Sequence, residues 1–191
     1  MPPVFTIGHS TRTADQLLAL LAEHGIEVLV DVRRYPGSRR HPQFSRDALA
    51  ATLAEARIQY MHEPDLGGRR EPRPGSPHIA WRVAAFRGYA DHLETPAAQT
   101  ALERLIRLSG ERRTVILCAE AVPWRCHRRL IADALVARGI EVRHILSPGR
   151  ADPHEIDPNA RVEEGGRRLV YDGGPSPEPL QRQLFSEEQD R

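Results

Sequence analysis

Two cysteines and a histidine form a pattern that predicts thiol chemistry. Cys118 ends the apolar run 114–118, and Cys126 and His127 follow a polar loop in which Pro123 is placed to open a helix. A first helical turn, with its free N–H groups and the positive end of the dipole, lowers the pKa of a thiol. We therefore predict that Cys118 or Cys126 is a nucleophile and that His127 helps to transfer the proton. A buried, inert Cys118 is the alternative.

Further polar side chains follow the other predicted strands. His9 and Ser10 follow the first strand, Asp31 and Arg33 follow the second, and Glu120 lies two residues beyond Cys118. In an open parallel sheet, ligands bind beyond the carboxyl ends of the strands. We expect His9, as the alternative to His127, to assist proton transfer, Glu120 or Asp31 to orient the base, and Arg33 to hold the charge of the substrate. Each also has an ordinary interpretation as a cap, a turn residue or half of an ion pair.

An anionic substrate is indicated by arginines and by two glycine-containing segments. All 27 basic residues are Arg, whose planar fork suits phosphate and carboxylate, and a GC-rich genome is the alternative explanation for this composition. A glycine pair precedes two arginines at 67–70, which suggests a phosphate-binding loop, and Gly88 lies inside a predicted helix, which suggests close approach to it. The predicted substrate-binding residues are Ser10, Arg33, Gly67, Gly68, Arg87, Tyr89, Arg125 and Arg128.

Composition narrows the class of protein. A formal charge of +1 argues against binding a polyanion by net charge alone, so any such contact depends on local arginine clusters. No apolar run approaches the roughly 20 residues of a membrane helix, and the start lacks the layout of a signal peptide, so we expect a cytoplasmic protein without a membrane partner. Two cysteines exclude a disulfide scaffold.

A metal site is a further interpretation of the same residues. Cys118, Cys126, His127 and His9 are possible ligands, but the sequence contains neither a C-x-x-C nor an H-x-x-x-H spacing. Spacing alone therefore does not show that these four side chains converge. We predict no metal and no other cofactor.

The elements that must position these residues alternate between strands and helices. The ending helix-Gly-Ile-Glu-Val occurs twice, at 25–28 and 139–142, which supports a repeated α/β architecture. Strands are predicted at 4–7, 26–31, 58–62, 114–118 and 140–145, and helices at 14–24, 44–57, 79–93, 96–108 and 123–137. We predict one three-layer α/β domain over 1–147, with a mainly parallel sheet and helices on both faces. Residues 148–191 are predicted to be a partly disordered extension with one possible strand at 169–171.

Six ordered blocks of the sequence form a recognisable set: Thr6-Ile7-Gly8-His9-Ser10, Asp31-Val32-Arg33, Pro42-Gln43-Phe44, Leu66-Gly67-Gly68, Phe86-Arg87-Gly88-Tyr89-Ala90-Asp91, and Cys118-Ala119-Glu120 with Cys126-His127-Arg128. Together these blocks resemble the bacterial and archaeal family called domain of unknown function 488. The resemblance covers about residues 4–146 and implies a cytoplasmic α/β domain whose signature residues lie at the predicted site. The family's name records that its activity is not established.

Local likenesses suggest chemistry. A strand, Cys118, a loop and a helix look like the layout of rhodanese and cysteine-phosphatase domains, although the spacing to Arg125 is one residue longer than in phosphatases. Cys126-His127-Arg128 also looks like the nucleophile motif of alkylguanine alkyltransferases. The resulting hypothesis is a hydrolase or transferase with a Cys nucleophile that acts on an anionic nucleotide or nucleic acid. A rhodanese-like or phosphatase-like enzyme on a small anion and a non-catalytic nucleic-acid-binding adaptor are the alternatives.

The C-terminus predicts a partner. Gln181, Leu184 and Phe185 follow a Pro-rich spacer and precede an acidic end. This pattern resembles the peptide by which bacterial polymerases and repair proteins attach to the DNA sliding clamp, and a flexible tether could present it to the groove of a partner. We therefore predict clamp binding linked to DNA repair. Packing of the same hydrophobic residues back onto the domain is the alternative.

Overall fold

A six-stranded sheet forms the centre of the molecule. The structure is a computed structural model that describes residues 1–37 and 40–173. The strand order is β3-β2-β4-β1-β5-β6, in which the first five strands are parallel and β6 runs antiparallel to β5. The strands are β1 (Val4–Gly8), β2 (Val28–Asp31), β3 (Gln59–His62), β4 (Thr114–Cys118), β5 (Val142–Ser147) and β6 (Arg150–Pro153), followed by a hairpin of β7 (Ala160–Glu163) and β8 (Arg168–Tyr171).

Helices cover both faces of this sheet, which confirms the predicted three-layer α/β fold. Alternate residues of β1 serve the two cores: Phe5 and Ile7 pack with one helix pair, and Val4 packs with the opposite layer. One layer holds α1 (Ala14–Glu23) and α2 (Arg46–Glu55), and the other holds α3 (Ala84–Leu93), α4 (Pro96–Glu111) and α5 (Arg128–Val136).

Two helix starts follow directly from local sequence. Thr13 and Gln16 form a reciprocal capping box at α1, in which each side chain accepts a hydrogen bond from the other residue's backbone N–H. The Thr95 hydroxyl accepts from the Ala98 N–H at α4, and Pro96 occupies the first turn, where its missing N–H leaves no bond unmade.

Two predicted helix starts were wrong. α3 begins at Ala84 and not at 79, because the Ala80 N–H donates to the Tyr171 carbonyl of β8. α5 begins at Arg128 and not at 123, because a short 3-10 turn over Pro123–Arg125 is followed by Cys126 in an extended conformation with φ −131° and ψ 145°. Cys126 and His127 therefore precede α5 and are not in its first turn.

Residues 148–173 form more regular structure than the sequence predicted. The expected strand at 169–171 lies within β8, and the sequence did not predict β6 and β7, because Pro148, Pro153 and Pro158 interrupt this segment. Ala160, Leu169 and Tyr171 pack into the core beside α3, α4 and α5. Gln181, Leu184 and Phe185 lie outside the described residues. No helix of the described part of the chain is long and apolar enough to span a membrane.

Candidate functional site

The carboxyl ends of β2, β4 and β1 meet at one edge of the sheet, as the sequence predicted. The backbone N–H of His9 donates to the Cys118 carbonyl at 3.0 Å, and that of Ser10 donates to Ala119 at 2.9 Å. Gly8 allows this contact, because a Cβ there would overlap the carbonyl oxygen of Glu120. The loop after β4 is therefore fixed directly against the loop after β1.

Cys118, Cys126 and His127 converge at this edge. The Nδ1 atom of His127 lies 3.9 Å from Cys118 Sγ and 3.8 Å from Cys126 Sγ. Burial alone would raise the pKa of Cys126, but hydrogen bonds from Cys118 and His127 and the nearby charge of Arg128 lower it well below the ordinary value. The hydrogen bond to Cys126 and burial raise the pKa of Cys118. The geometry thus favours a Cys126 thiolate beside a protonated Cys118.

His127 is held on three sides. Its Nε2 lies 3.3 Å from the Val32 carbonyl and donates to it, which leaves Nδ1 facing the two sulfurs. The ring of Tyr89 lies against the imidazole with 4.9 Å between centroids. A Cβ at Gly68 would lie 2.8 Å from Nδ1, so the glycine lets the backbone pass close to the ring.

Arg128 is a buried support for Cys126. The side chain is 1% exposed, and its Nε donates to Cys126 Sγ at 3.4 Å. Its other two nitrogens donate to Thr6 Oγ1 at 3.3 Å and to the Glu120 carbonyl at 2.5 Å. Because all three nitrogens are engaged inside the protein, Arg128 stabilises the sulfur and does not offer a free fork to a substrate.

A buried network of polar side chains runs from Arg128 at the start of α5, along one face of the sheet, and back to Asp133 on the same helix. Thr6 Oγ1 donates to His144 Nδ1 at 2.7 Å, and His144 Nε2 donates to His154 Nδ1 at 2.9 Å. His154 Nε2 then donates to Asp133 at 2.8 Å, and Tyr171 donates to the same carboxylate. Burial, the neighbouring His154 and Arg128 lower the pKa of His144 to about 3, which keeps it neutral in this network.

The sequence analysis did not predict this network of hydrogen bonds, although two of its residues indicate a buried polar pair. Thr6 and His144 are polar residues inside apolar strands and lie opposite each other in the register of β1 and β5. A polar residue on the buried face of each of two strands indicates a cross-strand pair. Thr6 and His144 meet only because β1 and β5 are neighbours in the sheet, and the sequence does not predict this strand order.

Asp31 and Arg33 form a buried ion pair beside the thiols. Arg33 donates from Nε and NH2 to the two carboxylate oxygens at 2.8 and 2.5 Å, and Tyr60 adds a third bond to Asp31. The remaining Arg33 nitrogen donates to the Phe44 carbonyl and lies 3.3 Å from His9 Nε2. Both groups are thus saturated by the protein.

His9 is held neutral by this ion pair and by its surroundings. Its Nδ1 donates to the Ser10 carbonyl, and its ring stacks on Phe44 at 4.4 Å. Burial, together with the charge of Arg33, lowers the pKa of His9 to about 4, despite the opposing hydrogen bond to Ser10. Because both ring nitrogens are engaged, His9 orients the wall of the site more readily than it exchanges protons.

An open cavity of about 890 Å³ leads to the sulfurs. Of the predicted residues, the cavity is lined by His9, Ser10, Arg33, Gly68, Cys118, Glu120, Arg125, Cys126 and His127. The remaining predicted residues are not among those that line the cavity: Asp31, Gly67, Arg87, Tyr89 and Arg128. Tyr35, Phe86 and Trp124 also line the cavity and were not predicted as site residues, because single aromatic residues in separate segments gave no pattern.

Two predicted segments have a packing explanation. A Cβ at Gly67 would lie 2.7 Å from Arg34 Cβ and 2.8 Å from the Pro64 carbonyl, so this glycine permits a close turn. Tyr89 is fully buried and donates to the Leu66 carbonyl at 2.7 Å. Gly88 lies against the backbone of residues 70–72, which confirms the predicted close approach to the helix.

A family model described as domain of unknown function DUF488 matches residues 13–135 of the chain. The match covers more than half of the sequence and includes β2 and β4. It also includes Cys118, Cys126 and His127, which we call the thiol cluster. The chain belongs to the DUF488 family. Comparisons with curated proteins and with solved structures gave no match.

The thiol cluster of this DUF488 chain has a composition that could also hold a metal ion. The ligand atoms of Cys118, Cys126 and His127 all lie within 4.8 Å of one another. Two thiolates and an imidazole are ligands that zinc accepts, and the Nε2 bond of His127 to a backbone carbonyl is the support that a metal-binding histidine commonly has. His9, the fourth ligand considered from the sequence, is not a member of this group.

Proposed function

We propose that this DUF488 protein is an enzyme that uses a cysteine thiolate to attack an anionic, phosphate-bearing substrate such as a nucleotide or nucleic acid. The observation that carries the proposal is the hydrogen bond from Arg128 Nε to Cys126 Sγ at 3.4 Å, at the floor of an arginine-lined cavity. A charged donor on a buried sulfur favours the thiolate, which is the nucleophilic form. Of the two cysteines, Cys126 is the nucleophile.

His127 transfers the proton in this scheme. Its Nδ1 is beside both sulfurs, whereas the two ring nitrogens of His9 are engaged by Arg33 and Ser10. His127 accepts the proton of the Cys126 thiol; the sulfur bonds to the phosphorus or carbon centre as the leaving group departs with that proton. Water or a second acceptor then cleaves the bond to sulfur, and the two outcomes are hydrolysis and group transfer.

Arginines at the mouth of the cavity supply the charge that attracts the substrate. Arg34, Arg69 and Arg125 line the cavity, and among the described residues none of them pairs with a carboxylate. Arg33 and Arg128, which the sequence also favoured, are engaged within the protein. The substrate's anion is therefore assigned to the outer arginines, and Arg33 and Arg128 keep the inner site in shape.

Ionisation of the thiols, followed by ultraviolet absorbance of the thiolate, tests the nucleophile. We expect one thiol of the full chain to ionise well below the ordinary cysteine pKa of about 8.5. Cys126→Ser removes this low transition, whereas Cys118→Ser keeps it, because the serine hydroxyl still donates to Cys126. This readout does not depend on how easily a reagent enters the cavity. Two thiols that titrate at or above the ordinary value would contradict the proposal.

The non-catalytic adaptor gives a different result in cells. If the protein only binds, Cys126→Ser leaves the cellular phenotype of the wild type intact, and a paired Arg69→Gln and Arg125→Gln variant removes it. If the protein is a thiol enzyme, Cys126→Ser removes the phenotype as well. The serine differs from cysteine by one atom, so it preserves the shape of the cavity floor.

A further inference from the structure

Four arginines form a rim around the mouth of the cavity, and we call this set the arginine rim: Arg34, Arg40, Arg69 and Arg125. All four are exposed or half-buried, and none has a carboxylate partner within the described part of the chain. Arginines elsewhere, such as Arg73, Arg104 and Arg129, lie in ion pairs. Glu120 is the single carboxylate among the described residues that line the cavity. The rim therefore presents several uncompensated positive charges to a ligand.

Two exposed aromatic rings stand among these charges. Tyr35 is 63% exposed and Trp124 is 56% exposed, and both line the cavity. The guanidinium group of Arg34 lies over the Tyr35 ring at 5.4 Å from its centroid. Aromatic faces alternating with arginines are the combination by which proteins bind single-stranded nucleic acid, because bases stack on the rings and phosphates pair with the cations.

The depth of the cavity favours a single strand over a duplex. Cys118 is 7% exposed and Cys126 is 2% exposed, so only a narrow group can reach the sulfurs. The volume of about 890 Å³ lies near the upper end of the roughly 300–1,000 Å³ of small-ligand sites. In a duplex, paired and stacked nucleotides are withheld from such a floor, whereas an unpaired nucleotide can be turned into it.

We propose that the cavity binds a segment of single-stranded nucleic acid, with one nucleotide directed to the thiols and its neighbours along the arginine rim. Flanking phosphates pair with Arg69 and Arg125, and a flanking base stacks on Trp124. This inference rests on the proposed function for the chemistry at Cys126, but binding itself requires only the rim and the rings. DNA and RNA share the recognised chemistry, and the experiment distinguishes them.

Fluorescence anisotropy of a labelled 12-nucleotide strand, in DNA and RNA forms, tests the binding with full-length Cys126→Ser protein. Because this variant cannot react through Cys126, binding is measured apart from chemistry. We expect the affinity for at least one of the two strands to exceed that for a duplex of the same sequence at least tenfold. The logarithm of the binding constant should fall with that of salt concentration, with a slope of about −0.7 for each neutralised phosphate.

Variants of the rim and of the ring locate the bound strand. Arg69→Gln with Arg125→Gln should weaken binding at least tenfold and reduce the salt slope by about 1.4, which is two phosphates. Arg107→Gln on the exposed side of α4 removes a charge away from the cavity and should leave binding unchanged. Bound strand should quench tryptophan fluorescence, and Trp124→Phe should abolish the quenching, since Trp81 is the only other tryptophan.

Three results would overturn this inference. They are equal or tighter binding of the duplex, equal binding of a polyglutamate or phosphotyrosine peptide, and binding that the paired arginine variant does not change. The thiol titration is a separate measurement: a low Cys126 pKa without strand binding refutes only the nucleic-acid inference. Strand binding with ordinary thiols refutes only the enzyme.

Discussion

At the scale of single residues, the geometry of the thiol cluster depends on a glycine that carries no chemistry of its own. Gly68 lies against the imidazole of His127, which Val32 and Tyr89 hold from other sides. The ring therefore cannot move aside without losing a hydrogen bond or an aromatic contact. The distance from His127 Nδ1 to both sulfurs is a consequence of this confinement.

Replacing that glycine should disturb the thiols. In Gly68→Ala, the new methyl group would lie 2.8 Å from His127 Nδ1, so we expect a loss of about 1–3 kcal/mol in the free energy of unfolding and a rise in the pKa of Cys126. Urea unfolding and the thiolate titration measure the two effects. Gly37→Ala is the matched control, because its Cβ meets nothing within 4 Å, although Gly37 also lines the cavity. Identical titrations for both variants would contradict the expected role of Gly68.

The sequence named Cys118, Cys126 and His127 as candidates, but it predicted neither their convergence nor the contacts of Arg128. It placed Cys118 at the end of a parallel strand, where ligands bind, and it placed Cys126 and His127 in a first helical turn, whereas in the structure they precede α5. The direction of the Arg128 side chain depends on acceptors supplied by Thr6 and by a backbone carbonyl of the loop after β4. Such acceptors come from distant parts of the chain, and no local pattern encodes them.

At the scale of elements, β1 and β5 are joined by side chains as well as by backbone. Thr6 donates to His144 across the strands and accepts from Arg128, so one hydroxyl links the sheet to the thiol cluster. The late start of α5 has a local cause, because the short turn over Pro123–Arg125 is followed by Cys126 in an extended conformation, and the helix begins only at Arg128.

Removal of the Thr6 hydroxyl should change the pKa of Cys126. Thr6→Val keeps the shape but leaves Arg128 without one acceptor and His144 without a donor, and unpaired buried groups cost about 1–3 kcal/mol. We expect lower stability and, because Arg128 is less well oriented, a raised pKa of Cys126. Thr6→Ser keeps the hydroxyl and should restore the wild-type titration. A Thr6→Val protein that loses stability with an unchanged thiol pKa would limit the buried network to a structural role.

At the scale of the whole molecule, buried histidines couple folding to pH, and His9 and His144 are two of them. Burial lowers the pKa of His9 to about 4 and that of His144 to about 3, from an ordinary value of 6.5. The unfolded chain binds a proton at each histidine below pH 6.5, whereas the folded protein does not until the pH reaches the lowered values. Their contribution to stability is therefore complete above pH 6.5 and is lost as the pH falls toward 4 and 3.

This coupling predicts an acid-sensitive fold. Urea unfolding between pH 7 and pH 4.5 should show a falling free energy of unfolding, with a contribution of about 1.4 kcal/mol per pH unit for each of the two protons. His144→Gln should reduce the slope by one proton, whatever its effect on stability at pH 7. A slope that is the same in the variant and in the wild type would contradict the pKa assigned to His144.

The order of strands in the sheet also determines when the site can form during synthesis. In the described sheet, β1 lies between β4 and β5. Phe5 is paired with Val115 and Val4 with Val142, so β1 cannot pair until these later strands have been synthesised. The first two strands, although consecutive in the chain, leave a gap that β4 must enter, and β4 brings Cys118 with it. A ribosome must therefore deliver more than half of the chain before the central strands can pair, and long-range pairing of this kind slows folding. A partly made chain lacks the assembled sheet edge that brings Cys118, Cys126 and His127 together, so we expect its thiols to ionise at the ordinary cysteine pKa until β4 and the loop after it are in place.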